Sequence, residues 1–379
     1  MLSAVYLGSL LLAFHWYIIL YINSSFLTSF VSESKVGLIY TIGSFLNLLF
    51  LLFIPKILKR TGNYRFIVFA ITAEALSILG LALVDNIYLA IPLFILHQAV
   101  VPLILFSLDV FLEKYSPDEN TTGGSRGIFL TLGSFALVIS PLIASLVLTN
   151  GDYWKVYLLS ALFLIPLLRL SSVWKNESTD LITNTSILQT FRNLRRNKDL
   201  YLIWKSSFVL QVFYAFMVVY LPIYLHEYIG FDWTEIGGIL TIMLLPFLLF
   251  EIPVGRLADK KFGEKEILSV GFIIGGVATI FLSTLQAPIF WVWALVLFTT
   301  RIGASFVEIT TESYFFKHVK TSDADLISFF RVARPISFIV APLITSILLP
   351  FLTYSSLFAI LGIIMICGVV YSLRITDTR

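Results

Sequence analysis

The sequence predicts an all-α membrane protein, with twelve transmembrane helices arranged as two pseudo-symmetric six-helix bundles. Three observations predict it. Apolar residues make up 58% of the 379 and charged residues 13%, with a mean hydropathy of +0.92; soluble domains carry about 25% charge. Stretches of about 20 apolar residues, the length that crosses a bilayer, recur twelve times. The basic residues between them fall almost entirely on one side.

The spans read, in order, as roughly 3–28, 36–57, 64–83, 88–112, 127–149, 154–171, 201–228, 235–256, 266–285, 289–313, 327–350 and 353–373. In hydrocarbon each backbone amide must be satisfied internally, so these runs are expected to be helices. The period-2 alternation of a membrane barrel is absent. No Lys or Arg precedes the first span, which therefore reads as a retained helix and not as a cleaved signal. The single Cys367 lies in an apolar stretch and supports neither a disulfide framework nor a cysteine metal site.

Of the 26 basic residues, Lys35 and Lys155 occupy odd-numbered loops and Arg301 lies inside a span. The others, Lys56, Lys59, Arg60, Arg192, Arg195 and Arg196 among them, fall in or beside even-numbered loops or at the C-terminus. Basic residues mark the cytoplasmic side. Both termini are therefore expected to be cytoplasmic, in a multi-pass protein of a bacterial inner membrane.

The halves repeat at an offset of about 200. Gly37-Leu38-Ile39-Tyr40-Thr41-Ile42 pairs with Gly237-Gly238-Ile239-Leu240-Thr241-Ile242. Pro141-Leu142-Ile143-Ala144-Ser145 pairs with Pro342-Leu343-Ile344-Thr345-Ser346. Asp109 and Glu312 both end the fourth span of a half. Residues 1–171 are thus one bundle and 201–379 the other. Within the 172–200 linker, Ile187–Arg196 has apolar residues at helical spacing and a basic face. It reads either as an interfacial helix on anionic lipid or as a basic linker that serves topology alone.

Between spans 8 and 9 stands Gly255-Arg256-Leu257-Ala258-Asp259-Lys260-Lys261-Phe262-Gly263. This loop resembles the signature loop of the major facilitator superfamily, which joins the second and third helices of a six-helix half. The resemblance implies alternating access, with helices 1, 4, 7 and 10 lining a cavity. It also implies that Gly255, Asp259, Lys260 and Gly263 form a cytoplasmic latch, Asp259 meeting the start of span 5 near Arg126. A carboxylate there is stabilised by a helix N-terminus and a guanidinium. The first-half copy, Pro55-Lys56-Ile57-Leu58-Lys59-Arg60-Thr61-Gly62, has no acid before Gly62 and cannot latch in that way.

Ionisable residues inside a bilayer are functional candidates by default. In span 10, Arg301, Ser305, Glu308 and Glu312 recur at intervals of four, three and four, on one helical face. Span 4 carries His97 and Asp109, span 1 His15, and span 7 Gln211 and Tyr214. Glu74 in span 3 and Glu251 in span 8 stand apart. Glu308 is the leading proton carrier, because burial and a neighbouring cation such as Arg301 act on a carboxylate in opposite senses. The plainer alternative is a permanent Arg301–Glu308 pair that ties helices together. Asp109 and Glu312 read as gate groups for Arg331, Arg334 or Arg126. His15 and His97 read as substrate partners, proton relays or packing residues, and their sequence separation gives no metal-ligand spacing.

No phosphate-binding loop suggests ATP-driven transport. A secondary transporter follows, expected to be a monomer in lipid without cofactor and to exchange protons for small amphipathic organic molecules that leave the cell. The 15% aromatic content fits an adaptable apolar cavity. The alternative is uptake of a small polar or anionic metabolite, such as a sugar or an organic anion held by Arg301. More remote readings are a transporter-like sensor, for which no output domain is present, and a membrane-embedded enzyme, for which no paired nucleophile and base stand out. The basic residues are explained by topology, and nothing points to nucleic acid.

Overall fold

The computed structural model describes residues 1–115, 119–148, 151–175, 187–258, 263–319 and 324–376. Among them there is no strand, and twelve helices are long and apolar enough to cross a membrane. The chain divides into two compact units, Met1–Ile182 with Asp232–Gly237, and Thr183–Phe231 with Gly238–Arg379.

The first unit contains α1 (Leu2–Leu20), α2 (Asn23–Thr28), α3 (Glu33–Thr61), α4 (Asn63–Leu83), α5 (Ile87–Tyr115), α6 (Glu119–Val147) and α7 (Tyr153–Ser171). The first predicted span breaks in two at Tyr21–Ile22, which sets Asn23 at the start of a short second helix. Helix α1 packs on α5, α6 and α7, and α4 lies between α5 and α7. Val5, Leu12, Ile67, Ile71, Ile104, Leu108 and Leu167 build the core. A single turn at Ser172–Trp174 continues α7 into what the sequence reads as linker. It seats Trp174, fully buried, against the Phe111 ring at 4.8 Å.

The second unit contains α8 (Ile187–Arg196), α9 (Lys198–Ile223), most of α10 (Trp233–Leu257), α11 (Glu264–Leu282), α12 (Phe290–His318), α13 (Ala324–Arg331), α14 (Ala333–Leu348), α15 (Tyr354–Cys367) and α16 (Val369–Ser372). The apolar side of α8 is taken up by its own bundle. Leu194 is buried, and Phe191 meets Phe329 at 5.6 Å and Tyr201 at 6.3 Å. Arg192, Arg195 and Arg196 stay exposed. After α9, Tyr224–Ile229 forms a wider π-type turn that ends at Gly230, whose φ of 87° suits glycine. The eleventh predicted span is interrupted at Val332. Pro335, in the first turn of α14, has no N–H to continue the ladder from α13.

Lipid is as apolar as a helix surface, so helices in a membrane associate through close packing, and small residues permit it. Helix α11 uses this on both sides. A Cβ on Gly303 of α12 would stand 2.3 Å from the Gly275 nitrogen and 2.6 Å from the Gly271 oxygen. One on Gly276 would stand 2.8 Å from the Gly362 oxygen of α15. Backbone touches backbone along both seams, which fixes the axial position and rotation of α12.

The two units share one local device. Gly62 and Gly263 stand immediately before α4 and α11, with φ/ψ of 76°/153° and 82°/164°, a region essentially restricted to glycine. The next residue ties each turn to the fourth span of its half. Asn63 donates to the Ser107 carbonyl at 2.9 Å, and the buried Glu264 pairs with Lys317. Gly263, the last residue of the signature loop, is thus required by backbone geometry.

Candidate functional site

In the second unit, α12 and α9 pack together and bring three predicted residues into one group. The Tyr214 hydroxyl donates to Glu308 Oε2 at 2.8 Å. The Arg301 guanidinium lies over the rings of Phe213 and Tyr214, 5.0 and 5.3 Å from their centroids. Phe247 adds an edge-on contact to Tyr214 at 6.1 Å. Arg301 is 1% exposed, and its Nε and Nη1 have no hydrogen-bond partner. Among the described residues no ion pair joins Arg301 to Glu308; seven residues on one helix put them about 10 Å apart along its axis. The permanent pair considered as the plainer alternative is therefore not what this geometry contains. Glu308 answers to Tyr214, and Arg301 rests on aromatic faces with donors to spare. Glu308, Tyr214 and Gln211 are half-buried.

Toward the end of α12, Glu312 is half-buried and lies close enough to Glu308 to act on it electrostatically, as does the exposed Arg334 of α14. Arg331 is exposed at the end of α13 and Asp109 half-buried on α5. Gly255 lies in α10 and Gly263 in the glycine turn described above. Asp259, Lys260 and the Arg126 side chain lie outside the described residues, and the latch expected of them with them.

The first unit holds a second cluster. His15 of α1 and His97 of α5 are buried and both meet the same oxygen of Glu74 on α4, Oε1, at 3.1 and 2.6 Å. Glu74 is fully buried, and its Oε2 has no partner. Around them, the Ser160 hydroxyl donates to the His15 carbonyl at 2.8 Å while Ser160 Oγ and O lie 2.8 and 3.2 Å from His15 Nδ1. Tyr157 donates to Asn23 Oδ1 at 2.9 Å, and Asn23 Nδ2 lies 3.4 Å from His97 Nε2. Both histidines thus point into their own bundle, toward the acid that the sequence left aside. Sequence reasoning missed Glu74, although one signal was there: a carboxylate in mid-membrane needs a counter-group, and this half offers only these histidines at that depth.

The sequence model of the Major Facilitator Superfamily matches residues 5–322 and again 227–379. The chain belongs to the major facilitator superfamily. Among solved structures, this superfamily member is similar to the POT family transporter PepTSo, with a TM-score of 0.78 and 11% identity over 98% of this chain and 97% of the other. The nucleoside transporter NupG matches with a TM-score of 0.75 and 14% identity over 98% and 97%. An auto-inhibited POT family peptide transporter matches with 0.76 and 11% over 100% and 98%. At these identities the likeness carries the fold alone. No curated protein matches the sequence. Twelve spans and the family together make this an integral, multi-pass membrane protein and a transporter of small molecules.

Proposed function

We propose that this secondary transporter moves a small organic anion together with a proton, using Arg301 to receive the anionic group and Glu308 to carry the proton. The observation that carries the reading is Arg301, buried with unmatched donors beside the Tyr214–Glu308 hydrogen bond. A buried guanidinium with two nitrogens lacking acceptors is costly, and a ligand carboxylate or phosphate supplies acceptors in the fork geometry that guanidinium matches. Charge then dictates coupling. Arg301 and an ionised Glu308 are neutral together, an arriving anion makes the group negative, and one proton on Glu308 restores neutrality. Anion and proton therefore load together and leave together. Phe213, Tyr214 and Phe247 offer apolar faces to the organic body of the substrate.

Uptake is then the direction for a cell that holds an inward proton gradient, which favours the metabolite-uptake reading over export of amphipathic molecules. We assign both termini to the cytoplasmic side of a bacterial inner membrane, supported by the one-sided basic residues and the exposed arginines of α8.

The test is a panel of small organic acids with the purified protein in proteoliposomes under an imposed pH gradient. An acidic exterior is expected to drive accumulation. Accumulation driven instead by an acidic lumen would mean exchange, the export mechanism, and no response from any member would reject proton coupling for that panel. Within the responding case, Glu308→Gln is expected to abolish accumulation against the gradient while counterflow exchange of labelled for unlabelled substrate persists. Retained accumulation removes Glu308 from the proton role.

A further inference from the structure

The His15–Glu74–His97 cluster has no part in the transport reading. Its hydrogen bonds pose a problem of their own. With the Ser160 hydroxyl donating to the His15 carbonyl at 2.8 Å, His15 Nδ1 faces the Ser160 hydroxyl oxygen at 2.8 Å and the Ser160 carbonyl at 3.2 Å, and in that arrangement it carries a hydrogen. In a neutral imidazole the other nitrogen, Nε2, then presents a lone pair, and it points at Glu74 Oε1 from 3.1 Å. A lone pair facing a carboxylate oxygen in a buried interior is repulsive unless a positive centre stands between them. Glu74 Oε2, buried and without a partner, is a further acceptor in want of the same thing.

We propose that His15, His97 and Glu74 bind a divalent late first-row transition-metal ion, Zn2+ by chemistry, that clamps α1, α4 and α5 together. The ligand atoms all lie within 4.8 Å of one another on three helices. Bonds of about 2.0–2.1 Å in a tetrahedron put neighbouring ligand atoms about 3.3 Å apart. His15 Nε2 and Glu74 Oε1 are already near that spacing, and the 2.6 Å between His97 Nδ1 and Oε1 widens by about 0.7 Å. Glu74 Oε2 is held by its own carboxyl group too close to Oε1 for a separate vertex of the tetrahedron, and it faces the ion as the second arm of a bidentate carboxylate, which gives the bare oxygen its role. The outer shell has the form that metal-bound histidines require, the far nitrogen of His15 donating to a backbone carbonyl. For His97 the far nitrogen becomes a donor, and the Asn23 carboxamide accepts it with its oxygen and nitrogen interchanged, Tyr157 then accepting from the amide. Imidazole and carboxylate together suit zinc and its neighbours rather than magnesium or calcium, which prefer oxygen alone.

The site is shut from solvent, so the ion enters as the bundle forms and must be supplied during expression. The full chain, carrying a purification tag without histidine, is produced with added Zn2+ or Co2+ and its metal content measured by mass spectrometry. About one ion per chain is expected, and the Co2+ form should show the strong visible ligand-field absorption of four-coordinate cobalt. His226 and His318, the two histidines outside the cluster, are controls, and the double variant His226→Gln/His318→Gln should keep ion and absorption. Glu74→Gln and His97→Gln should lose both, and Asn23→Ala, which spares the ligands, should lower apparent affinity about 10- to 100-fold. A folded wild-type protein that contains no metal overturns the proposal and leaves a proton as the positive centre, as does metal retained undiminished in Glu74→Gln. The wild-type result decides even where a variant fails to fold.

Discussion

Gly303→Ala is expected to lower the thermal stability of the purified protein by about 3 kcal/mol or more, and Gly303→Val to leave no monodisperse protein in size-exclusion chromatography. The added Cβ would lie 2.3 Å from the Gly275 nitrogen and 2.6 Å from the Gly271 oxygen. Those atoms are backbone inside a regular helix, so no rotamer change relieves the contact and α11 and α12 must separate. Overpacking a core costs typically 1–3 kcal/mol where side chains can shift, and here they are not what is struck. Separation also empties the seam along which these two helices gain their dispersion energy, which a bilayer does not return as hydrophobic burial. The matched control is Gly133→Ala on α6, where a Cβ meets nothing within 4 Å among the described residues; that change should be neutral or stabilising by about 0.5–1 kcal/mol. Equal stability of Gly303→Ala and wild type would show that α12 is not held through this seam. The consequence reaches the site, because Gly303 sits between Arg301 and Ser305 on the opposite side of the helix from the polar stripe. What presses against glycine on one face sets the direction of Arg301 and Glu308 on the other.

The helices and their order were legible because the bilayer is a demanding solvent. It forces long apolar runs, forbids open backbone and sorts basic residues to one side, and all three leave marks in composition. The breaks were less legible. Val332 interrupts a span because Pro335 lacks a donor, and Tyr21–Ile22 ends α1 without proline or glycine to announce it. Helix facing was hardly legible at all. A segment such as α1 is apolar on every side, so periodicity cannot say which face meets α4 and which meets α6. That is why the spacing of Arg301, Glu308 and Glu312 could be read as one stripe, while the bond from Tyr214 to Glu308, across 94 residues, could not. It is also why Glu74 was set apart from His15 and His97. The resemblance placed the histidines on cavity-lining helices, and their hydrogen bonds run to Glu74 on α4. Charge balance within one bundle is the better guide, since a buried acid with no Lys or Arg at its depth must find its counter-group among the histidines.

Arg301→Met is expected to abolish transport and at the same time to raise the melting temperature. The two halves of this result come from the same fact. Arg301 is buried with Nε and Nη1 unmatched, and in the resting protein its guanidinium lies over two aromatic faces with Glu308 acting on it only at longer range. Contacts of that kind contribute about 0.5–2 kcal/mol each, less than the several kcal/mol of desolvation that a buried ion incurs. A methionine of similar length keeps the packing on Phe213 and Tyr214 and removes the penalty, for a net gain of about 1 kcal/mol or more; exchanging buried ions for apolar residues has stabilised other proteins by 1–4 kcal/mol. Substrate binding moves the opposite way. Removing one member of a buried charge pair typically costs 2–5 kcal/mol, so apparent affinity for the organic anion should fall by at least about thirtyfold. Arg301→Lys separates charge from shape: it retains the cation without the planar fork and should bind at an intermediate level. The decisive reading is the sign of the stability change in Arg301→Met, followed by thermal unfolding without substrate. A fall of several degrees would make Arg301 a structural tie of α12 to α9, and the unmatched donors would no longer speak for a ligand. A rise, with transport gone, means that the resting fold carries a group it would be more stable without, as expected where an anion completes the site for only part of the cycle.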